Sequence, residues 1–139
     1  AHVEETYRGG VAAYQEAGIK DPRKEIDIAE VHDCFSITEL TIMEDLQFSP
    51  RGRVKDDIEA GSFTLEGDLP VNTDGGLKCF GHPIGASGLR MIYENYLQLL
   101  GRAGERQRKS PPVLGLSHNL GGMPNQNVSA VAIVGLQGA

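Results

Sequence analysis

Apolar residues recur at helical spacing at the start of the chain and again after residue 34. From Val3 to Ala17 they recur every three or four residues, which predicts an amphipathic helix that the Gly and Pro of "AGIKDP" bring to an end. The next run, "EIDIAEVHD", alternates apolar and acidic residues imperfectly, as a strand buried on one or both faces does. Because "CFSITELTIMEDL" returns to helical spacing, we predict a helix that starts just after this strand.

The second half of the chain predicts an irregular connection, one strongly amphipathic helix and two strands. From Ser49 to Asp74 the apolar pattern is weak, and Pro, Gly and mixed charges predict a connection with a short helix near Lys55–Ala60. In "ASGLRMIYENYLQLLGRAG" the apolar residues form one helical stripe, which we expect to be buried. That stripe consists of Leu89, Ile92, Tyr93, Tyr96, Leu97 and Leu100. The runs "PPVLGLSHN" and "NVSAVAIVGL" predict neighbouring strands, joined tightly through "LGGMPNQ".

The predicted order of elements indicates the fold class. An α/β layered domain typically has such an order, which here is helix, strand, helix, irregular link, helix, strand and strand. The 139 residues, of which 40% are hydrophobic, suffice for one packed domain over residues 1–139 and hardly for two.

Charge and cysteine content narrow the possible functions. The net charge of −6 argues against general nucleic-acid binding, and we interpret the basic run "GRAGERQRK" as a solvated loop. No apolar run approaches the length of a membrane span, and "AHVEETYRGG" lacks a signal-peptide pattern, so we predict a cytoplasmic protein. In that setting Cys34 and Cys79 are expected to be reduced thiols.

Three histidines fall at predicted element junctions. His32 and His118 are predicted at strand ends, and His82 precedes a predicted helix. In open α/β sheets, ligands gather where loops leave the carboxyl ends of strands. This placement favours a functional site, although surface or core histidines remain an equally good interpretation on the pattern alone.

His82 has the most informative surroundings, in "NTDGGLKCFGHPIGASGLRMIYENYL". If the helix begins near Ala86, the positive end of its dipole disfavours a protonated imidazole and keeps His82 available as a neutral base. Such a base can take a proton from a thiol or hydrogen-bond a developing oxyanion. Pro83 would stiffen the turn, and glycines would let backbone and substrate approach closely. These glycines are Gly75, Gly76, Gly81, Gly85 and Gly88. A glycine-rich turn with an incidental histidine is the alternative.

Cys34 lies at the predicted entry to a helix, where the dipole favours a thiolate. A thiol there could exchange protons near neutral pH, although a small buried hydrophobe is the simpler interpretation. A second alternative joins His32, Cys34, Cys79 and His82 into a tetrahedral zinc set. We disfavour zinc, because the two pairs are flanked by regular elements and a glycine-rich turn instead of tight knuckles.

Three motifs, in this order, resemble the carboxyl-terminal part of thiolases. They are "AEVHDCFSITEL", "GGLKCFGHPIGASG" and "SHNLGG". The sequence is most similar to the sterol-carrier-protein-X and lipid-transfer-protein type, which carries HDCF where ordinary thiolases have an asparagine motif. The resemblance spans nearly the whole chain and implies the carboxyl-terminal half of a thiolase fold, with helices on a mixed sheet.

The resemblance also implies roles for individual residues. His82 would activate the nucleophilic cysteine and line the oxyanion hole, and His32 would stand where ordinary thiolases use asparagine to hold a water. Cys34 would be the acid/base at the α-carbon of the second acyl-CoA. His118 and Asn119 stand near the usual second cysteine motif, which this chain lacks, and that departure moves the cysteine's role to Cys34.

Gly121 is a further candidate, as the glycine that donates a backbone N–H to the oxyanion. The nucleophilic cysteine of thiolases lies in their amino-terminal half, and neither Cys34 nor Cys79 sits in a similar loop. The resemblance therefore implies a domain that is inactive alone and that needs a missing amino-terminal half.

The implied activity is thiolytic cleavage or Claisen condensation of 3-ketoacyl-CoA. Coenzyme A thioesters would be substrates, no cofactor would be tightly bound, and the complete enzyme would be a homodimer. One alternative is an aldolase of the lipid-transfer subgroup, which cleaves a β-hydroxyacyl-CoA side chain beside an OB-fold partner protein. The other is a noncatalytic domain that binds acyl-CoA or a partner subunit.

Overall fold

The computed structural model describes residues 1–123 and 126–136, and these residues form six α-helices, a short 3-10 helix and three strands. The helices are α1 (Glu4–Ala17), α2 (Pro22–Glu25), α3 (Ser36–Asp45), α4 (Val54–Glu59), α5 (Gly76–Phe80) and α6 (Ser87–Leu99), with the 3-10 helix at Gly104–Arg106. The strands are β1 (Ile28–Glu30), β2 (Leu114–Met123) and β3 (Gln126–Gly135). The four predicted helices are all present.

The three strands form one mixed sheet in the order β1-β2-β3. β1 runs parallel to β2, with Ile28 opposite Gly115. β2 and β3 are antiparallel and pair along their whole length, from Leu114 opposite Gly135 to Met123 opposite Gln126. This mixed sheet with helices confirms the predicted fold class.

The sheet lies between α1 and α6. Successive residues of β2 face opposite sides of the sheet, so they meet different helices. Leu116 belongs to the apolar core, and His118 bonds Thr6 of α1. On the other face, Asn95 of α6 donates a hydrogen bond of 3.0 Å to the hydroxyl of Ser117. The two sheet faces therefore meet different helices.

The apolar core fills the α1 side of the sheet. Tyr14 of α1 closes it by donating a hydrogen bond of 2.7 Å to the carbonyl of Leu46. Burying each large aliphatic or aromatic side chain of such a core contributes about 1.5–3 kcal/mol. Among the side chains excluded from water are Ile26, Val31, Ile42, Leu46, Phe48, Leu69 and Leu116.

The prediction that α6 buries its apolar stripe is wrong. Leu89 is 70% exposed, Tyr93 59% and Tyr96 48%. We call the exposed members of the stripe the α6 outer face, and they are Leu89, Ile92, Tyr93, Tyr96 and Leu100. The side chains that α6 turns toward the sheet are mostly polar, and they are Ser87, Met91, Glu94, Asn95 and Gln98.

The polar side of α6 is buried because its groups find partners within the chain. Asn95 donates a hydrogen bond of 2.9 Å to the carbonyl of Leu116 in β2. Gln98 donates to the carbonyl of Arg106 at 2.6 Å and accepts from the backbone N–H of Arg108 at 3.0 Å. Buried polar groups with such partners carry little of the penalty that unpaired ones would.

The basic run "GRAGERQRK" is a paired segment, not a freely solvated loop. Arg106 forms an ion pair with buried Glu94 at 2.9 Å, and Arg108 pairs with Asp27 at 3.0 Å. These contacts tie the segment to α6 and to the start of β1.

The predicted end of β2 is also wrong. His118 is the fifth of ten residues in this strand, because pairing with β3 continues through Gly121 and Gly122 as far as Met123. Most of the predicted connection "LGGMPNQ" is therefore strand, and residues 124–125 of it lie outside the described residues.

Candidate active site

A cavity of about 490 Å³ opens on the α6 side of the sheet, beyond the end of β1. Polar groups from three separate segments meet apolar side chains in its wall. The lining residues are His32, His82, Ile84, Asn119, Leu120, Gly121, Gly122, Val128 and Ala130.

His32 lies two residues beyond the end of β1 and is only 4% exposed. Its Nδ1–H donates a hydrogen bond of 2.6 Å to Oδ1 of Asn119 on β2. Burial lowers the pKa of His32 below 6.5, the hydrogen bond to Asn119 partly opposes that shift, and the nearby His82 adds to it. His32 is therefore neutral at pH 7, with Nε2 as its unprotonated nitrogen.

His82 lies in the turn between α5 and α6. Its Nδ1 is 2.7 Å from Oγ of Ser87, whose hydroxyl donates to the carbonyl of Pro83 at 3.2 Å. A hydroxyl has one proton, so Nδ1–H of His82 is the donor in the first bond and Nε2 stays free to accept a proton. The same Pro83 carbonyl accepts the N–H of Ala86 at 2.8 Å, which closes the turn.

The two imidazoles are in contact. The ring of His32 meets that of His82 edge to face, with centroids 5.0 Å apart and planes at 82°. Both imidazoles have Nδ1 hydrogen-bonded and can offer Nε2 as an acceptor, which suits proton transfer from a thiol and the holding of a water.

The predicted loop-shaping residues have unequal roles. Gly81 has φ of +74°, which favours glycine. Gly88 leaves room for Asn119, since a Cβ there would lie 3.3 Å from its Nδ2. Gly85 faces open space with an ordinary φ, so the structure gives no requirement for glycine there. Gly121 lines the cavity and also faces open space, consistent with access for a ligand to its backbone.

Cys34 lies just before α3, as predicted, but it does not line the cavity. Its half-buried thiol contacts the hydroxyl of Thr38 at 3.7 Å. Cys79 is exposed on α5 and also lies outside the lining. The structure therefore brings His32, His82 and Asn119 together and leaves both thiols outside that group.

His118 faces the opposite side of the sheet from the cavity. It is fully buried, and its Nε2 lies 3.0 Å from the hydroxyl of Thr6. Burial lowers its pKa to about 3, so it is neutral at physiological pH. It is a core histidine in this fold, whereas its neighbour Asn119 reaches the site.

Sequence reasoning missed Asp33, Ser87 and Arg90. Asp33 accepts the N–H of Leu77 at 2.8 Å, which ties the segment after β1 to α5. Ser87 could have been suspected, because small hydroxyl residues at helix starts commonly accept hydrogen bonds. Nothing in the local pattern singled out Arg90, whose partners are distant in sequence.

The described residues contain no group of three or more His, Cys, Asp or Glu side chains arranged to hold a metal ion. Of the four residues considered as a zinc set, the two histidines contact each other, Cys34 contacts Thr38 and Cys79 is exposed.

Comparison with known proteins identifies the family. A family described as thiolase C-terminal domain-like matches residues 1–134. The chain belongs to this family. This agrees with the resemblance that the three motifs carry, and with the mixed sheet and its helices.

Relatives of this thiolase domain include larger proteins. An acetyl-CoA acetyltransferase from Methanothermobacter thermautotrophicus is 46% identical over 98 residues, which are 70% of this chain and 25% of that protein. Sterol carrier protein 2 from Homo sapiens is 41% identical over 108 residues, which are 78% of this chain and 19% of that protein. The chain thus spans a quarter or less of these relatives.

A solved structure titled "Ltp2-ChsH2(DUF35) aldolase" is similar in fold, with a TM-score of 0.78 and 25% identity. The match covers 96% of this chain and 32% of that one. Within the described residues of the thiolase domain, no helix combines the length and apolar character needed to cross a bilayer.

Proposed function

We propose that this domain supplies the base and the oxyanion-binding groups of a thiolase-type acyl-CoA acyltransferase. The reaction is thiolytic cleavage of a 3-ketoacyl-CoA or its reverse, Claisen condensation. The observation that carries the proposal is the contact between His32 and His82 in one cavity with Asn119. The similarity to acetyl-CoA acetyltransferases supports it.

In this mechanism His82 moves a proton at Nε2. A cysteine thiol from the amino-terminal half gives its proton to Nε2, and the thiolate attacks the thioester carbonyl in condensation or the 3-keto carbonyl in cleavage. The imidazolium then donates Nε2–H to the oxyanion, before the proton leaves with the departing group. The bond from Nδ1–H to Ser87 suits this role, because it fixes the tautomer in which Nε2 is the accepting nitrogen.

His32 holds a water in the same cavity. Its Nε2 accepts one O–H of the water, whose other O–H donates to the thioester oxygen. A neutral ring is required for this, and burial favours one. Gly121 in the cavity wall would add a backbone N–H to the same oxygen.

Cys34 exchanges the proton at the α-carbon of the second acyl group. It follows His32 by two residues and does not line the cavity, so the acyl chain would have to reach it from the side of α3. Acylation of the nucleophile by an acyl-CoA thioester, the first step of condensation, does not need this proton transfer, whereas carbon–carbon bond formation and cleavage do. The two steps are therefore separable by mutation.

The complete enzyme is this domain together with an amino-terminal thiolase half. The curated relatives are four to five times longer than the aligned region, which leaves ample chain for such a half. The α6 outer face is the surface we assign to it, since a soluble domain seldom leaves five large apolar side chains on one helix uncovered. We further propose a cytoplasmic homodimer that uses coenzyme A thioesters and retains no tightly bound cofactor.

An aldolase is the second candidate, and the fold similarity to the Ltp2-ChsH2(DUF35) aldolase favours it. A retro-aldol cleavage of a β-hydroxyacyl-CoA needs a base for the hydroxyl proton and donors for the enolate oxygen, but no acyl-transfer nucleophile. In that case an OB-fold protein would be the partner.

One experiment separates the two functions. The complete enzyme is given a 3-ketoacyl-CoA with free coenzyme A, and separately the β-hydroxyacyl-CoA of the same acyl chain. The proposal predicts coenzyme A-dependent cleavage of the first substrate, lost in His82→Ala and retained in His2→Ala, which removes an imidazole remote from the cavity. Cleavage of the second substrate alone would establish the aldolase and refute the acyltransferase.

A further inference from the structure

Arg90 of α6 contacts three other segments behind the cavity. Its side chain is 17% exposed, and its Nη1 forms an ion pair with Asp74 and donates a hydrogen bond of 3.4 Å to Oε2 of Glu30. Its guanidinium also lies over the ring of Phe80, 5.4 Å from the centroid. One side chain thus joins α6 to β1, to the segment before α5 and to α5 itself.

These three segments are the ones that lead into the site. Glu30 ends β1 two residues before His32, and Phe80 ends α5 two residues before His82. Asp74 in turn accepts the N–H of Gly76 at 2.7 Å, so it fixes the start of α5.

Of the three carboxyl groups near Arg90, only that of Asp74 depends on the guanidinium for its counter-ion. Burial raises the pKa of Glu30 to about 8, so this carboxyl is protonated at neutral pH. Glu94 has its own partner in Arg106, which it binds at 2.9 Å. Asp74 is therefore the anion that Arg90 neutralises, and its side chain is only 2% exposed. Removing Arg90 alone would leave that carboxylate buried without a counter-ion.

We propose that Arg90 is a positioning residue for His82: its charge holds the segment from Asp74 to Phe80 so that Nδ1 of His82 stays bonded to Ser87 and its ring stays against His32. Arg90 touches neither imidazole and acts through these neighbours. Its effect on turnover rests on the proposed function, but its effect on the histidine does not.

The test uses the complete enzyme labelled with ¹⁵N-histidine. The ring ¹⁵N shifts of His82 report which nitrogen carries the proton, and steady-state kinetics report kcat and KM. In Arg90→Met, which keeps an apolar contact to Phe80 but no charge, His82 should become a mixture of tautomers. Because displacement of a catalytic group by a fraction of an ångström is costly, kcat should fall roughly 10- to 100-fold with little change in KM.

Arg90→Lys restores the charge and should return the Nδ1–H tautomer and most of kcat. Arg108→Met is the matched control, since Arg108 has 15% side-chain exposure and pairs with Asp27 away from the cavity. It should leave the His82 signals unchanged.

Two results would overturn the proposal. One is an unchanged His82 tautomer in Arg90→Met, and the other is an equal change in Arg108→Met. If Arg90→Met fails to fold, the double variant Arg90→Met/Asp74→Asn removes the ion pair as a unit and is judged by the same signals. If the His82 tautomer changes in Arg90→Met but the wild-type enzyme has no acyltransferase activity, the positioning role is supported and the proposed function is refuted.

Discussion

The Nδ1–H of His32 donates to Oδ1 of Asn119 at 2.6 Å, across 87 positions of sequence. This bond aligns the segment after β1 with the middle of β2. Since the acceptor is a neutral amide, it orients the ring without imposing the charge that a carboxylate would. The pair therefore suits an imidazole that must accept a hydrogen bond from a water.

Asn119→Asp tests this orientation. A carboxylate beside Nδ1–H should raise the pKa of His32, so the ring is protonated at neutral pH and its Nε2 can no longer accept. At pH 7 kcat should fall roughly 10- to 100-fold and should recover as pH rises, as measured by a pH profile of thiolysis. Asn127→Asp, on β3 outside the cavity, serves as the control. An unchanged profile would show that His32 does not act as an acceptor.

Ser87→Ala should impair the base without unfolding the domain. The hydroxyl of Ser87 is the acceptor for Nδ1–H of His82, and its loss frees the ring to turn and to exchange tautomers. We expect kcat for acylation to fall by about tenfold, while Ser36→Ala at the exposed start of α3 leaves it unchanged. Stopped-flow acylation measures both variants, and equal rates in the two would contradict the role of Ser87.

Acid should weaken the packing of α1 on the sheet through His118. Its pKa is about 3 in the folded protein and near 6.5 when unfolded, so below pH 6.5 the unfolded state binds a proton that the folded state does not. The contribution of neutral His118 to the free energy of unfolding is thus fully present above pH 6.5. It falls as the pH is lowered toward 3, by at most about 1.4 kcal/mol for each pH unit. His118→Asn, which can still bond Thr6, should remove this part of the loss.

Hydrogen exchange of the β2 peptides in the complete enzyme, followed by mass spectrometry from pH 4 to 7, measures the difference between wild type and His118→Asn. As pH falls from 7 to 4, wild type should lose more protection than His118→Asn, so the difference between the two proteins should change with pH. Parallel curves would show that His118 is not held neutral by burial.

The α6 outer face should be needed for assembly. Tyr96→Asp places a charge on this face without disturbing the polar side of the helix, and it should reduce the yield of folded complete enzyme. Ile58→Asp on α4, where Ile58 is 43% exposed, is the matched control and should have little effect. Size-exclusion chromatography with circular dichroism measures both, and equal yields would leave the outer face without a partner.

The sequence predicts the helices of this fold well where periodicity is strong. The first helix, predicted from Val3 to Ala17, is observed from Glu4, and α4 was expected within two residues of its position. The side of α6 that is buried could not be predicted. Periodicity shows that the helix has an apolar stripe, but it does not show whether the apolar or the polar side packs against the rest of this domain. Glu94 and Gln98 are buried through partners beyond residue 105, which no local pattern reveals.

The candidate site was predictable in part. His32 and His82 emerged from their junctions and motifs, and the structure brings them together. The sequence predicts His118 at the end of a strand, because the two glycines that follow it are typical of a turn. In the structure these glycines continue the pairing of β2 with β3. Asp33 accepts the N–H of Leu77, 44 positions away, and Arg90 contacts Glu30, 60 positions away. Only the fold brings these residues together, so the sequence alone does not reveal their roles.

The central claim is that this domain provides the base, and another part of the enzyme provides the nucleophile. Mass spectrometry of peptides from the complete enzyme, quenched during turnover of an acyl-CoA, tests it most directly. We predict an acyl group on a cysteine outside these 139 residues, and its loss in His82→Ala. An acyl group on Cys34 or Cys79, or acylation that is indifferent to His82, would contradict the account.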